Sequence, residues 1–256
     1  MLKDVQGEKD LRNIPLRQVG IKNLRWPLVV RNRENGVQHT VADVAMAVAL
    51  PHDMRGTHMS RFVECLKNLG TVNPADLEQI LDEMKEKLQA ERAMLELQFP
   101  YFIKKKAPVS GAEALLDLKC NYRAEKGETF ELNVCVEVPI QTLCPCSKEI
   151  SKYGAHNQRA IAKLEIRSHE LVWLEELVVI AEAAASSPIY PLLKRPDEKA
   201  VTEHAYENPR FVEDAVREIA LRLRADTRIK WYRATVESME SIHNHNAFAC
   251  VEMAES

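Results

Sequence analysis

The sequence contains little glycine, 8 residues among 256, and lacks the glycine-rich loops that bind phosphate groups. Neither a G-x-G-x-x-G motif nor a P-loop occurs, so any nucleotide phosphates must be held by lysine, arginine or histidine side chains. The G-x-S-x-G motif, which presents a nucleophilic serine, is missing as well. These absences exclude the common glycine-based phosphate cradles and the serine hydrolases of that type.

The chain also lacks a basic surplus and long apolar runs, and we expect no secretory signal. Its formal net charge of −3 argues against non-specific binding to nucleic acid, although a local basic pocket for a small anion remains compatible with it. No apolar run approaches the ~20 residues that span a bilayer, and the N-terminal stretch is polar. We therefore expect a cytoplasmic protein that does not contact membranes. In that compartment its six cysteines are expected to be thiols or metal ligands rather than disulfides.

The hydrophobic pattern of the first half predicts the element order ββααββ. Residues 1–17 lack periodicity and predict a flexible arm. Asn35-Gly36 is typical of a tight hairpin turn, and Asn73-Pro74 is a favourable helix start. The apolar residues of the second helix recur at helical spacing, as Leu77, Ile80, Leu81, Met84 and Leu88. The predicted strands cover 18–33, 37–50, 95–105 and 115–123, and the predicted helices cover 59–68 and 73–88.

The second half repeats this order. Strands are predicted over 129–139, 160–167, 229–237 and 246–252, with helices over 173–185 and from Asn208-Pro209 onward. The spacing between equivalent helix starts requires an insertion of roughly 25 residues in the second half, at about 188–207. The fold class is therefore α+β, with tandem modules at 18–125 and 126–256. We expect an antiparallel sheet with the helices packed on one face.

A loop between two predicted strands, residues 141–159, concentrates the residues with the most reactive side chains. It holds Cys144, Cys146 and His156, whose types bind transition metals or form thiol active sites. A closed structural zinc site needs four ligands, so a smaller set leaves a position open for water. Because Pro145 separates the two cysteines, we expect one of them to bind the metal and the other to lie nearby. The alternative is a pair of buried thiols and an ordinary loop histidine.

A further metal ligand must come from another segment. The predicted insertion offers Asp197, Glu198, Glu203 and His204, and the last interstrand connection offers His243 and His245. The His-x-His pair is also compatible with a simple polar turn. A third group, His52, Arg55 and His58, forms a compact basic loop that is either part of an anion site or merely solvated.

Four motifs together resemble the type IB GTP cyclohydrolases. They are TLCPCSKEIS at 142–151, YGAHNQR at 153–159, RGTHMSR at 55–61 and HNH at 243–245. That family has the tunnelling fold, whose unit is ββααββ, so the resemblance implies a tandem pair of such units. It also implies hydrolysis of GTP at C8, release of formate and reclosure to 7,8-dihydroneopterin triphosphate, the first step toward folate.

The resemblance further implies roles for individual residues. The metal ligands would be Cys144, His156 and Glu198, binding one divalent zinc, manganese or iron ion per site. Glu213 would anchor the edge of guanine, and Glu240 would line the same pocket. His243 and His245 would join the metal ligands as catalytic residues, and the basic loop would contribute substrate contacts through His52, Arg55 and His58.

Tunnelling-fold proteins close their sheets by association, so the resemblance also implies a homo-oligomer. We expect a tetramer with its sites at subunit interfaces and GTP as the substrate. Two other hypotheses remain open at this point. One is a thiol enzyme of the same fold that attacks a pterin-like or deazapurine-like substrate covalently, and the other is a non-enzymatic module in which the Cys/His loop holds a structural metal.

Overall fold

The computed structural model describes residues 6–34, 36–67 and 69–254. Its elements confirm the α+β class and the tandem ββααββ order, with additional short elements and one additional long helix. In chain order they are β1 (Leu16–Arg31), β2 (Val37–Leu50), α1 (Met59–Leu66), β3 (Thr71–Val72), α2 (Pro74–Leu88), β4 (Ala93–Lys106), β5 (Glu113–Lys126), β6 (Phe130–Leu143), α3 (Pro145–Ile150), β7 (Asn157–Ser168), α4 (Leu174–Ala184), β8 (Ser187–Pro188), α5 (Arg195–Glu207), α6 (Val212–Ala225), β9 (Ile229–Ser238) and β10 (Ala247–Glu252).

The strands form a ten-stranded, mostly antiparallel sheet, and the chain divides into two compact units. Unit 1 comprises residues 1–100 and 121–134, and unit 2 comprises 101–120 and 135–256. This division differs from the sequence modules at 18–125 and 126–256, because the long strands β4, β5 and β6 each contribute residues to both units. No helix in the described part of the chain is long and apolar enough to cross a membrane.

In unit 1 the strand order is β3-β1-β2-β4, and α1 packs against α2. Helix α2 forms as predicted, since the Asn73 side chain accepts a hydrogen bond from the Asp76 backbone N–H at 3.2 Å. The predicted apolar stripe of α2 is buried, from Leu77 to Leu88. The predicted turn residue Asn35 and the predicted end of α1 at Asn68 both lie outside the described residues.

The arm predicted for residues 1–17 contacts the loop after β2 along part of its length. The Asp10 backbone N–H donates to Asp53 O at 2.8 Å, and the Arg55 backbone N–H donates to Glu8 O at 3.1 Å. Strand β1 then begins at Leu16, two residues before the predicted start. This loop, which carries His52, Arg55 and His58, is therefore held by the residues that precede β1.

In unit 2 the strand order is β10-β9-β7-β6, and β8 pairs with β6. Helices α4 and α6 pack on each other, and α6 also packs on β9 and β10. The alternation predicted for β7 is confirmed, because Ala160, Ala162, Leu164 and Ile166 are fully buried. The core of unit 2 lies between these helices and the sheet, and β6, β7 and β9 extend from it.

The predicted helix start at Asn208-Pro209 is wrong. Asn208 ends α5, where its backbone N–H donates to His204 O at 3.1 Å, and proline then prevents continuation. Helix α6 begins at Val212, with the Phe211 backbone N–H donating to Asp214 Oδ2 at 3.0 Å. The same dipeptide thus starts one helix and ends another. An asparagine can accept a hydrogen bond from the free N–H groups at a helix start or donate to the free carbonyl groups at a helix end. The predicted insertion at 188–207 contains α5 itself.

Candidate active site

A pocket of about 520 Å³ opens in unit 2 where several element ends converge. The end of β6, the start of β7, the first turn of α6 and the β9–β10 connection supply its walls. Its lining residues are Thr142, Cys144, His156, Gln158, Arg210, Phe211, Val212, Glu213, Ser238, Glu240, His243, His245, Asn246, Ala247 and Phe248. The volume falls within the usual range for small-molecule sites.

Cys144 lies directly after β6 and caps the short helix α3. Its Sγ accepts a hydrogen bond from the Ser147 backbone N–H at 3.3 Å, and its own N–H donates to His156 O at 3.1 Å. Cys146 lies in the first turn of α3, is exposed and does not line the pocket. Of the two cysteines that flank Pro145, the pocket therefore includes Cys144.

His156 is oriented by its neighbour on β7. Its Nδ1 lies 3.0 Å from Gln158 Oε1, so we assign the ring proton to Nδ1, and the lone pair lies on Nε2. The Gln158 amide group also donates to Thr142 Oγ1 at 3.2 Å and to Glu240 Oε1 at 3.3 Å. This arrangement, in which one ring nitrogen is tied to an oxygen acceptor, is typical of metal-binding histidines.

Four further residues named from the sequence also line the pocket. Glu213 is exposed in the first turn of α6, and Glu240 follows β9. The rings of His243 and His245 stack with a centroid separation of 5.1 Å and an interplanar angle of 17°. The pocket thus brings together a thiol, three imidazoles and two carboxylates from separate parts of unit 2.

Glu198 does not line this pocket. It is exposed in the first turn of α5, eight residues before Tyr206, which corresponds to about 12 Å along an α-helix. The Lys148 ammonium group donates to Tyr206 O at 2.5 Å, so the C-terminal end of α5 is the end near α3. Within the described ranges, no group of three His, Cys, Asp or Glu side chains is arranged to hold a metal. Glu198 as a ligand stays a prediction.

The basic loop lies in unit 1, between β2 and α1. His52 and Arg55 are exposed, and Arg55 forms an ion pair with Glu8. His58 precedes α1 and is half-buried. Their predicted contacts with substrate remain predictions.

The family model for type I GTP cyclohydrolase FolE2 matches residues 2–249. The chain belongs to this family. The GTP cyclohydrolase FolE2 of Thermotoga maritima is 57% identical over 251 residues, covering 98% of this chain and 97% of that protein. That of Caldicellulosiruptor saccharolyticus is 56% identical over 249 residues, covering 97% of each.

Solved structures of urate oxidases share the fold of this FolE2-family chain. The urate oxidase of Bacillus sp. TB-90 superposes with a TM-score of 0.54 at 10% identity, covering 94% of this chain and 100% of that one. The uricase of Arthrobacter globiformis gives a TM-score of 0.51 at 9% identity, covering 99% of this chain and 96% of that one. The predicted tunnelling fold is thereby confirmed.

Asp197, one of the candidate ligands of the insertion, has its oxygens occupied by protein donors. It is completely buried and accepts from the backbone N–H groups of Val109, Ser110 and Lys194, each at 2.8 Å, and from Ser110 Oγ at 2.6 Å. Burial alone would raise the pKa of Asp197, but these hydrogen bonds outweigh it and hold the pKa well below its usual range. Asp197 therefore fixes the start of α5 to the β4–β5 connection.

Replacing this carboxylate should destabilise the protein in a pH-dependent way. Asp197→Asn places amide hydrogens where backbone donors point, so we expect a clear fall in Tm at pH 7. Because the folded-state pKa is lowered, the stabilisation is present above the ordinary Asp pKa of about 3.9 and is lost as the pH falls below it.

Thermal denaturation of both proteins between pH 7 and pH 3 measures this dependence, and the gap in Tm should narrow below about pH 4. Glu203→Gln on the same helix is the control, because Glu203 forms an exposed ion pair with Lys199 at 3.6 Å rather than buried hydrogen bonds. A gap that stayed constant over the whole pH range would contradict the role of the Asp197 carboxylate.

Among the pocket residues that the sequence did not single out, Gln158 and Arg210 are the two whose polar groups shape the site. Gln158 stands within the motif YGAHNQR, and its position two residues after His156 on a strand places both side chains on one face. This spacing of two residues was the sequence signal that could have placed Gln158 beside His156. Arg210 follows the misassigned Asn208-Pro209 pair, so its place beside the pocket depends on how α5 and α6 are connected. No sequence signal identifies it.

Proposed function

We propose that this chain hydrolyses GTP at C8, releases formate and recloses the product to 7,8-dihydroneopterin triphosphate in folate biosynthesis. The observation that carries the proposal is the single pocket that unites Cys144 and His156 with the carboxylate of Glu213. Membership of the FolE2 family, with relatives named GTP cyclohydrolase at 55–57% identity, supports the same activity.

The donor set at the end of β6 fits a divalent transition metal. Thiolate and imidazole are ligands that zinc prefers, and His156 has its Nε2 lone pair available because Nδ1 is tied to Gln158. We propose Cys144, His156 and Glu198 as the ligands of one zinc, manganese or iron ion. Such an ion, when bound, lowers the pKa of water from 15.7 to about 7.

Glu213 is proposed to hold the guanine base. A carboxylate accepts two hydrogen bonds side by side, which matches the N1–H and 2-amino donors of guanine. Adenine presents no such pair of donors at that edge, so the carboxylate favours guanine. A site built on such hydrogen bonds discriminates strongly against analogues that lack them.

The histidines are proposed to transfer protons. Water adds at C8 and the C8–N9 bond breaks, so N9 must gain a proton. A second water cleaves the C8–N7 bond, formate leaves and N7 gains a proton. His243 and His245 lie in the pocket wall, and an imidazole is suited to both steps because it can accept a proton and donate one. Glu240, in the same pocket lining, is proposed to contact the substrate.

We further propose a homo-oligomer, as a tetramer with its sites at subunit interfaces. Strand β10 lies at one edge of the sheet, and Phe248 on this strand is 72% exposed although it also lines the pocket. An unpaired edge with an exposed aromatic residue favours association. The basic loop of His52, Arg55 and His58 is proposed to contact the triphosphate.

The decisive experiment is incubation with GTP after loading with zinc, manganese or ferrous iron. We expect formate and, after oxidation, a fluorescent pterin, whereas no product with any of the three metals would refute the proposal. A chelator should abolish turnover and leave the thermal unfolding curve largely in place. A thiol enzyme would stay active with the chelator and be inactivated by an alkylating agent. A module that holds a structural metal would unfold when the chelator removes that metal.

A further inference from the structure

Arg210 has a polar atom that the protein itself leaves without a partner. Its Nε is shielded from solvent and makes no hydrogen bond within the part of the chain that the structure describes. A buried donor without an acceptor destabilises a folded protein and is rare in native structures. Arg210 also lines the pocket, where its guanidinium group can donate to a ligand.

The backbone fixes Arg210 relative to the reactive residues. Its N–H donates to Leu143 O at 3.0 Å, and Leu143 directly precedes Cys144. Arg210 also stands three residues before Glu213, at the entry to α6. Arg210 and Glu213 therefore enter the pocket wall from one short segment of the chain.

The amide and hydroxyl side chains of the pocket already take part in hydrogen bonds within the protein. Gln158 donates to Thr142 and Glu240, and the Asn246 amide donates to Glu237 Oε1 at 2.8 Å. The hydroxyls of Thr142 and Ser238 bond to each other at 3.1 Å. Arg210 adds to these groups a donor without a partner among the described residues, and its charge is permanent.

We propose that Arg210 determines base specificity by donating to the 6-oxo group of guanine. O6, N1–H and the 2-amino group lie in a row on one edge of the base. The carboxylate of Glu213 takes the two donors, and O6 then needs a donor beside that carboxylate. Adenine carries an amino group at position 6, which an arginine does not accept. This inference rests on the proposed function, because it assigns the pocket to a guanine base.

Arg210→Met tests the proposal, because methionine keeps the length and apolar stem and removes the donors. Titration calorimetry with guanosine and with GTP, in the presence of a chelator to stop turnover, measures affinity without activity. We expect Arg210→Met to lower the affinity for guanosine and for GTP equally, by about 10- to 100-fold. Arginine contacts to guanine O6 contribute to base discrimination by a factor of that size. Tm should stay equal or rise, because the unsatisfied donor is gone.

The control is Arg217→Met, on an exposed position of α6 outside the pocket lining, which should leave both affinities unchanged. Unchanged guanosine affinity in Arg210→Met would overturn the proposal, and a loss confined to GTP would assign Arg210 to the phosphates instead. If the unmodified protein bound neither guanosine nor GTP, the proposed function itself would fail. That outcome is distinct from a protein that binds both and is indifferent to Arg210→Met.

Discussion

Cys144→Ser should lower GTP turnover by about a thousandfold or more, because a metal's contribution to charge stabilisation is several kcal/mol and each 1.36 kcal/mol changes a rate tenfold. Cys144 lines the pocket, and its Sγ already caps α3 through Ser147. A serine hydroxyl retains the capping ability but is a poor ligand for zinc. The variant should therefore fold and lose both bound metal and product formation.

Cys146→Ser is the matched control for this prediction. Cys146 is two residues away, equally a cysteine, but exposed on α3 and outside the pocket lining. Metal content by atomic absorption and pterin fluorescence should be close to those of the unmodified protein. The reverse pattern, with Cys146→Ser inactive and Cys144→Ser active, would transfer the ligand role to Cys146.

Glu213→Gln should weaken GTP binding by about 100-fold or more while metal content stays unchanged. Hydrogen bonds to a charged group contribute about 1.5–3 kcal/mol each, and the substitution removes the charge from two of them. In addition, the NH2 group of the glutamine would face one of the two N–H donors of guanine, which repels it. Calorimetry with GTP and with inosine triphosphate measures the effect, and the preference for the 2-amino group should fall.

Asp214→Asn is a suitable control for Glu213→Gln. Asp214 is the adjacent carboxylate, but it accepts the Phe211 backbone N–H at the start of α6 and does not line the pocket. We expect Asp214→Asn to lower Tm by loosening this helix start and to leave GTP affinity nearly intact. Equal losses of GTP affinity in both variants would mean that the helix start, rather than the Glu213 carboxylate, matters for binding.

The elements of this fold were largely predictable because their signals are local. The alternation of β7 and the apolar stripe of α2 follow from periods of two and 3.6 residues, and both are buried as expected. The failure at Asn208-Pro209 is instructive, since the dipeptide carries the same local preference as Asn73-Pro74. What differs is the partner: Asn208 bonds back to His204, whereas Asn73 bonds forward to Asp76.

The site was predictable only in part, because its geometry depends on contacts between distant segments. Sequence spacing places Cys144 and Cys146 on equal terms, and the turn into α3 is what separates them. Asp197 and Glu198 are likewise adjacent in sequence. The first is buried against the β4–β5 connection, while the second is exposed. The orphaned Nε of Arg210 is a property of the folded pocket, so no sequence pattern contains it.

The segment that carries α5 leaves the sheet and returns to it at almost the same point on β6. At its start, Ser187 pairs with Gln141, and at its end the Arg210 N–H bonds to Leu143 O at 3.0 Å. Because the two attachment points lie close together, the free energy of closing the segment between them depends little on its length. Doubling the length of a loop costs only about 0.6 kcal/mol in closure entropy. Insertions on either side of α5 can therefore change the length of this segment without shifting the residues that hold Cys144, as long as Asp197 keeps its hydrogen bonds to Val109 and Ser110.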